Sequence, residues 1–299
     1  MNNELYNLGF VAFNNPRDVE SMIVSVNKWH PRGLNRCILV DNSTDDSARR
    51  AIDAATKTAG WEYVARENGG FGAGVNELVS MSSNCSVIII LNLDIHFCSD
   101  PPFLEMTQAI VNGSFSLVGT SLLNEHGHAV AGRLPPFSIK MLTYNFQTAN
   151  QENLVVDHSG NEVHDWYGAV HGACFAVKTE DFIRVGGLDE KLFLYAEEFD
   201  LQIKLAKSSK RIGFMSSHSI VHHSEGKVSE GNGFLNTYNL RYLALRERKM
   251  ILFTFFTVRL MKILLRLDSE GQKPWLSVVR FDLPRQDLLY KLSNPINGK

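Results

Sequence analysis

The chain has 299 residues, 44% of them hydrophobic and 21% charged, and a formal net charge of -2. That is long enough for one large domain or two small ones with a real core. It excludes the composition of a disordered chain and the strongly basic balance of a general nucleic-acid binder.

Residues 1–13 lack a basic region followed by a long apolar core, so no signal peptide is expected. Seven short apolar runs then read as strands: residues 8–13, 37–40, 61–65, 87–93, 116–120, 174–177 and 212–215. The strongest are continuous rather than alternating, which suits a parallel sheet covered on both faces. Helical patterns separate the early strands. Residues 18–29 carry Val19, Met22, Ile23 and Val26 at helical spacing, residues 46–58 are rich in Ala, Arg and Lys, and residues 74–81 follow a Gly-rich turn. Strand, helix, strand, helix predicts an α/β sheet at least through residue 120. Residues 124–165 are polar, contain LPPF and have weak periodicity, and read as long loops. The four cysteines, Cys37, Cys85, Cys98 and Cys174, form no CxxC pair and read as reduced residues, three of them in or beside apolar runs. No apolar stretch reaches the roughly 18 residues of a spanning helix, and a cytoplasmic protein is the default expectation.

Ligands of open α/β sheets sit beyond the carboxyl ends of the strands. Three polar clusters fall at such ends: VDNSTDDS with Asp41 and Asn42, ENGGFGAGVN from Glu67 to Asn76, and LNLD with Asn92 and Asp94. One such cluster is ordinary turn chemistry, whereas three on one rim predict a binding cleft. GGFGAG misses the dinucleotide fingerprint, whose third glycine would fall on Val75. A carboxylate at the end of the apolar run VIIIL is costly unless it reaches water or a cation. Asp94 suits Mg2+ or Mn2+ bound together with substrate phosphates, and Asn92, two residues earlier, is expected on the same side of an extended strand. A turn-capping role for Asp94 explains the residue equally well. GGLDEKLFLYAEEFD sets Asp189, Glu197, Glu198 and Asp200 among aromatic and aliphatic side chains. Partly desolvated carboxylates have raised pKa values and make useful bases; acids in the first turn of a helix are the plainer reading. His222 and His223 follow Ile220 and Val221 and suit metal or phosphate.

In this order the segments resemble the family 2 glycosyltransferases of the GT-A fold, especially a bacterial rhamnosyltransferase-like branch that builds surface polysaccharides. VAFNNPRDVE is similar to the opening strand, with Asn14 at its end. VDNSTDDS resembles the nucleotide-binding turn, ENGGFGAGVN the Glu-Asn-x-Gly-Phe segment, and LNLD an Asn-x-Asp form of the Asp-x-Asp position. GACFAV, GGLDEKLFLYAEEFDL and VHH complete the series. The resemblance implies an α/β GT-A fold over residues 1–240, with a mainly parallel central sheet flanked by helices and a C-terminal helical extension at 241–299. It implies a nucleotide-sugar site of Asn14, Asp41, Asn42, Asn68, Gly70 and Asn92, and a Mg2+ or Mn2+ site of Asp94 with His222 or His223. Trp166, His171, Gly172, Asp189 and Asp200 would face the substrates. Glu198 takes the catalytic-base position of the family's Glu-Asp-x-Asp, with Glu197 as the other candidate. The activity implied is inverting transfer from dTDP-rhamnose or a UDP-sugar to a saccharide or polyprenyl-diphosphate-linked acceptor. Two other readings share the strand-end carboxylates: a sugar-1-phosphate nucleotidyltransferase, against which FNNPRDVE after the first strand argues, and a non-catalytic nucleotide-sugar-binding protein.

The stretch RERKMILFTFFTVRLMKILLRL, residues 246–267, is densely apolar, with Arg259, Lys262 and Arg266 along one helical face. It suits a helix lying in a membrane interface; a core helix or a contact between two copies of the chain are the alternatives.

Overall fold

The computed structural model describes residues 5–143, 162–216, 220–222 and 230–269. The chain runs β1 (Tyr6–Ala12), α1 (Pro16–Trp29), β2 (Leu34–Asp41), α2 (Asp46–Thr58), β3 (Glu62–Ala65), α3 (Phe71–Met81), β4 (Val87–Leu91), β5 (Ile95–Phe97), α4 (Phe103–Val111), β6 (Leu117–Thr120), β7 (Leu122–Leu123) and β8 (Ala129–Ala131). After a 3-10 turn (Ile139–Thr143) come β9 (Val163–Asp165), β10 (Cys174–Lys178), α5 (Thr179–Arg184), α6 (Glu197–Lys207), β11 (Ile212–Met215), β12 (Ile220–His222), α7 (Glu230–Arg246) and α8 (Met250–Ser269). Each of the seven expected strands forms.

Eight strands make the main sheet, in the order β3-β2-β1-β4-β10-β6-β11-β9. Its continuous apolar strands feed two cores. Val87, Ile89 and Leu91 of β4 join Val19, Met22, Phe103 and Met106 from α1 and α4 on one face. Ile88 and Ile90 join Val75, Leu78, Phe182 and Leu205 from α3, α5 and α6 on the other. A sheet covered on both sides has no solvated face, which is why alternation is absent from its strands.

The parallel expectation holds for β3, β2, β1 and β4 and for the β6-β11 pair. It fails at two strands. β10 lies antiparallel between β4 and β6, and β9 is an antiparallel edge. An apolar run carries no direction, so sequence did not distinguish the two. The reversal matters: Cys174, which opens β10, pairs with Leu91, which closes β4. Residues 171–173 therefore arrive at the rim where the parallel strands end.

The expected strand 87–93 stops at Leu91. The chain turns through 92–94 and continues as β5 in a second, four-stranded sheet ordered β5-β12-β7-β8. Asn92 and Asp94 thus sit on a turn, and the two-residue alternation of an extended strand does not relate them. Residues 124–143, expected as loop, include β8 and the 3-10 turn; residues 144–161 lie outside the described residues.

The C-terminal apolar stretch forms one helix, as expected, and a second helix precedes it. α7 runs through residue 240 and ends at Arg246; α8 starts at Met250 and packs against it. α8 buries Leu252, Phe256 and Leu260 and leaves Met250, Ile251, Phe255, Val258 and Met261 exposed. Among the described residues, no helix is long and apolar enough to cross a membrane.

Candidate active site

The rim has two chemically different ends. At one, β12 pairs antiparallel with β5 so that His222 stands opposite Ile95, next to Asp94. Asp94 Oδ2 lies 3.2 Å from His222 Nε2. His222 is buried, and both Asp94 Oδ1 and His222 Nε2 are enclosed with no well-aligned hydrogen-bond partner. Burial alone would push the Asp94 carboxyl up, but the His222 imidazole beside it outweighs burial and holds it below the usual carboxylate range. Buried polar atoms are rarely left unpaired. A carboxylate oxygen and an imidazole nitrogen are ligand types that a divalent cation accepts alongside phosphates and water. Among the described residues, no group of three or more His, Cys, Asp or Glu side chains converges in this way. His223 lies outside the described residues.

At the other end, α6 opens with Glu197 and Glu198 after a turn in which Tyr195 (φ 74) and Ala196 (φ 73) are both left-handed. Tyr195 N–H donates to Glu197 Oε1 at 2.8 Å, so Glu197 is turned inward and buried. Gly172 N–H donates to Glu198 Oε1 at 3.2 Å. A small cavity of about 20 Å³, lined by Phe71, Val170, Phe175, Leu188 and Leu201, lies under both carboxyls. Burial raises both, Glu197 further, because the charge of Glu198 adds to it.

His171 and Gly172, adjacent in the chain, connect the ends. The His171 ring centroid is 5.6 Å from that of His222, while Gly172 holds Glu198. Burial lowers His171 to about 4, so it is a neutral imidazole at physiological pH, and its Nδ1 accepts the Ala173 N–H at 3.2 Å. A Cβ at Gly172 would lie 2.9 Å from Glu198 Oε1, so a side chain there would displace the carboxylate.

The remaining rim residues organise the turns. Asp41 is fully buried, its Oδ1 accepting Ser43 N–H and its Oδ2 the Tyr63 hydroxyl, each at 2.8 Å. Asn42 donates to the Gly70 carbonyl at 3.0 Å. Asn14 is left-handed (φ 52), and its Oδ1 accepts from Thr44 N and Asp45 N, both at 3.0 Å. Asn68 Oδ1 accepts Gly70 N–H at 3.0 Å. Gly70 has φ 89, and a Cβ there would sit 2.1 Å from the Phe193 carbonyl oxygen. That glycine lets the start of α3 touch the loop that delivers the two glutamates, an approach sealed by Phe71 N–H on Phe193 O at 2.9 Å. Asn92 N–H donates to Ala173 O at 2.9 Å, tying the Asp94 turn to the entry of β10.

Residues 9–155 match the family model described as "Glycosyl transferase family 2". That match spans just under half of the chain. A shorter stretch of this chain, 56 residues or 19% of it, is 36% identical to an N-acetylglucosaminyl-diphospho-decaprenol L-rhamnosyltransferase of Mycobacterium tuberculosis, of which it covers 18%. Among solved structures, a mannosyltransferase from Pyrobaculum calidifontis in complex with GDP-Man and Mn2+ is similar over 91% of this chain and 76% of its own, with TM-score 0.57 and 12% identity. GalNAc-T7 with UDP, GalNAc and Mn2+ matches 77% of this chain and 47% of its own, with TM-score 0.56 and 16% identity. These structures share the GT-A fold with this chain.

Three expected substrate contacts have other partners. Asp200 is completely buried, with Lys204 Nζ at 2.8 Å, Arg246 at 2.7 Å and the Asp189 N–H at 2.8 Å. Asp189 accepts the Tyr242 hydroxyl at 2.9 Å and Arg246 at 3.1 Å. These carboxylates are committed to the protein's own cations and donors. The Trp166 indole N–H donates to Ala169 O at 2.8 Å, and Arg133 covers its ring. Conversely, sequence reading missed Asn239, Tyr242 and Arg246 of α7.

Proposed function

We propose that this chain is an inverting glycosyltransferase that moves a sugar from a nucleoside-diphosphate donor to an acceptor hydroxyl, with Glu198 as general base and the Asp94–His222 pair at the diphosphate. One observation carries the reading. The neighbours His171 and Gly172 meet His222 and Glu198 respectively, so a cation-type donor set and a raised carboxylate share one rim.

Asp94 and His222 would hold Mg2+ or Mn2+, which when bound neutralises negative charge growing on the departing diphosphate. The Mn2+ in the two structural neighbours supports a divalent ion here. Glu198 takes the proton from the acceptor hydroxyl as it attacks the anomeric carbon. Gly172 N–H fixes one carboxylate oxygen and leaves the other to receive that proton. Glu197 holds the turn by accepting Tyr195 N–H, and Glu198 is the carboxylate placed to take the proton. A single displacement from the face opposite the leaving group inverts configuration, and no enzymic nucleophile is needed. Asn14, Asp41, Asn42, Asn68 and Gly70 shape the nucleotide end through the turns they lock.

For the donor we infer dTDP-rhamnose or a UDP-sugar, and for the acceptor a saccharide or polyprenyl-diphosphate-linked glycan of surface polysaccharide synthesis. The rhamnosyltransferase relative supports the first of each. A cytoplasmic location at the membrane face accords with this, because the exposed apolar stripe of α8 runs beside exposed Arg259 and Lys262. An Ile251→Glu/Phe255→Glu variant should lose co-sedimentation with anionic liposomes; equal binding by variant and parent excludes this helix as the anchor.

The donor test is a thermal-shift panel of dTDP-rhamnose, UDP-galactose, UDP-GlcNAc and GDP-mannose, with and without Mn2+, since a ligand of the native state raises Tm by mass action. Product NMR then reads the anomeric configuration. A Mn2+-dependent shift with one donor and an inverted product agree with the proposal. A retained configuration would overturn the single-displacement mechanism.

A further inference from the structure

Glu197 and Glu198 are delivered by a turn that does not stand on its own. Tyr195 and Ala196 are consecutive left-handed residues, and neither is glycine. L-residues with a Cβ avoid that region, and such pairs persist only where their surroundings over-determine them. The usual device for starting a helix is also missing, because Ala196 occupies the cap of α6 and has no side chain to accept an N–H. Two elements supply what the turn lacks. From within, Glu197 Oε1 accepts Tyr195 N–H. From outside, the buried Asn239 on α7 spends both of its amide hydrogens on this turn, at 2.8 Å to Leu194 O and 3.0 Å to Tyr195 O. One helical turn further along α7, Tyr242 holds Asp189, and beyond it Arg246 holds Asp189 and Asp200. Leu235, from the preceding turn, packs on Phe193.

We propose that Asn239 is a positioning residue for the general base: its carboxamide clamps the strained turn at 194–196 and thereby sets where Glu198 meets the acceptor. The proposal rests on the reading of Glu198 as the base. Through Asn239, Tyr242 and Arg246 one face of a C-terminal helix governs the geometry of a reacting group that it does not touch. The acceptor-side machinery is therefore completed by a helix remote in sequence from the residues 9–155 that match the family model.

The test uses the full-length chain with Asn239→Leu, which is nearly isosteric, suits a buried helical position and removes both donors. Hydrogen exchange read by mass spectrometry should quicken at residues 193–198 by roughly 10-fold or more, with β1 to β4 unchanged, because local opening follows the lost anchor. Donor hydrolysis with Mn2+, using whichever donor of the panel turns over fastest, should show kcat lower by about 10–100-fold with KM nearly unchanged, the signature of a misplaced group rather than lost binding. Ala196→Gly removes the penalty of the left-handed cap, so in the double variant it should restore much of the lost kcat, a coupling that general destabilisation does not produce. If Asn239→Leu folds poorly, Asn239→Ser gives the same readouts. Unchanged exchange at 193–198, a rise in KM matching the loss in kcat, or no rescue by Ala196→Gly would each overturn the proposal. Full transfer by Glu198→Gln would instead overturn the base assignment, and is told apart because that variant leaves exchange at 193–198 as in the parent.

Discussion

Two acidic clusters of this molecule attract the same attention in the sequence and do opposite things in the fold. Asp189 and Asp200 are surrounded by Lys204, Tyr242 and Arg246, and Asp200 has no exposed surface. Asp94 is partly open, and both its Oδ1 and the facing His222 Nε2 are enclosed without an aligned partner. Glu198 lies between these extremes: one oxygen is held by a backbone N–H and no cation of the protein is paired with it. The lesson is that acids in a row do not mark a site. What separates Asp94 and Glu198 from Asp189 and Asp200 is that, among the described residues, no lysine or arginine is paired with them. A buried charge with its own counter-ion is architecture; one without is costly unless a ligand or proton completes it.

The contrast is open to test, and the effects are graded. Glu198→Gln should leave donor binding intact and reduce transfer by roughly 10³-fold, the middle of the range for a lost general base; calorimetric donor affinity and turnover separate the two. Asp200→Asn should act on stability instead. It leaves Arg246, partly buried, with Asp189 and Glu247 but without its fully buried partner, at a cost of about 3 kcal/mol in urea denaturation, as for other broken buried pairs. Asp94→Asn is the counterpart: turnover with Mn2+ should fall about 100-fold, while Tm stays within about 2 °C of the parent. Equal losses of stability in the two aspartate variants would erase the distinction.

Gly172→Ala should reduce kcat by about 10-fold through displacement of Glu198, since the new Cβ meets its Oε1, without changing donor affinity. The smallest effect is expected from Glu197→Gln, which keeps the acceptor for Tyr195 N–H and removes the titration. The folded-state pKa of Glu197 is raised, so the folded chain binds more protons than the unfolded chain above about pH 4.3. Its unfavourable contribution grows as pH rises through that window and then levels off. The variant should be more stable than the parent at pH 7 by about 1–3 °C in Tm, with a flatter Tm profile against pH.

Much of the fold was legible because its strands are uninterrupted apolar runs separated by amphipathic helices, and burial on two faces writes that pattern directly. Strand direction is not written there, so the antiparallel β10 was missed, and with it the reason why His171 and Gly172 reach the rim. The two- and three-residue strands of the second sheet carry too few side chains to announce themselves, and β12 is the element that sets His222 beside Asp94. Within the site, Glu198 and Asp94 were legible as acids beside apolar runs. Asp189 and Asp200 gave the same signal, because the arginine that neutralises them lies far along the chain on α7. Asn239 was invisible for a related reason: it acts on the carbonyl oxygens of Leu194 and Tyr195, and backbone acceptors leave no mark in a sequence.

The most direct test of the central claim, that the acid facing His222 rather than the one held by Lys204 and Arg246 is the ligand-binding acid, is Mn2+ binding followed by electron paramagnetic resonance in the presence of dTDP or UDP. With the better nucleotide, the free-ion signal should fall on adding the parent or Asp200→Asn and persist with Asp94→Ala. Undiminished capture of the ion by Asp94→Ala would contradict the account.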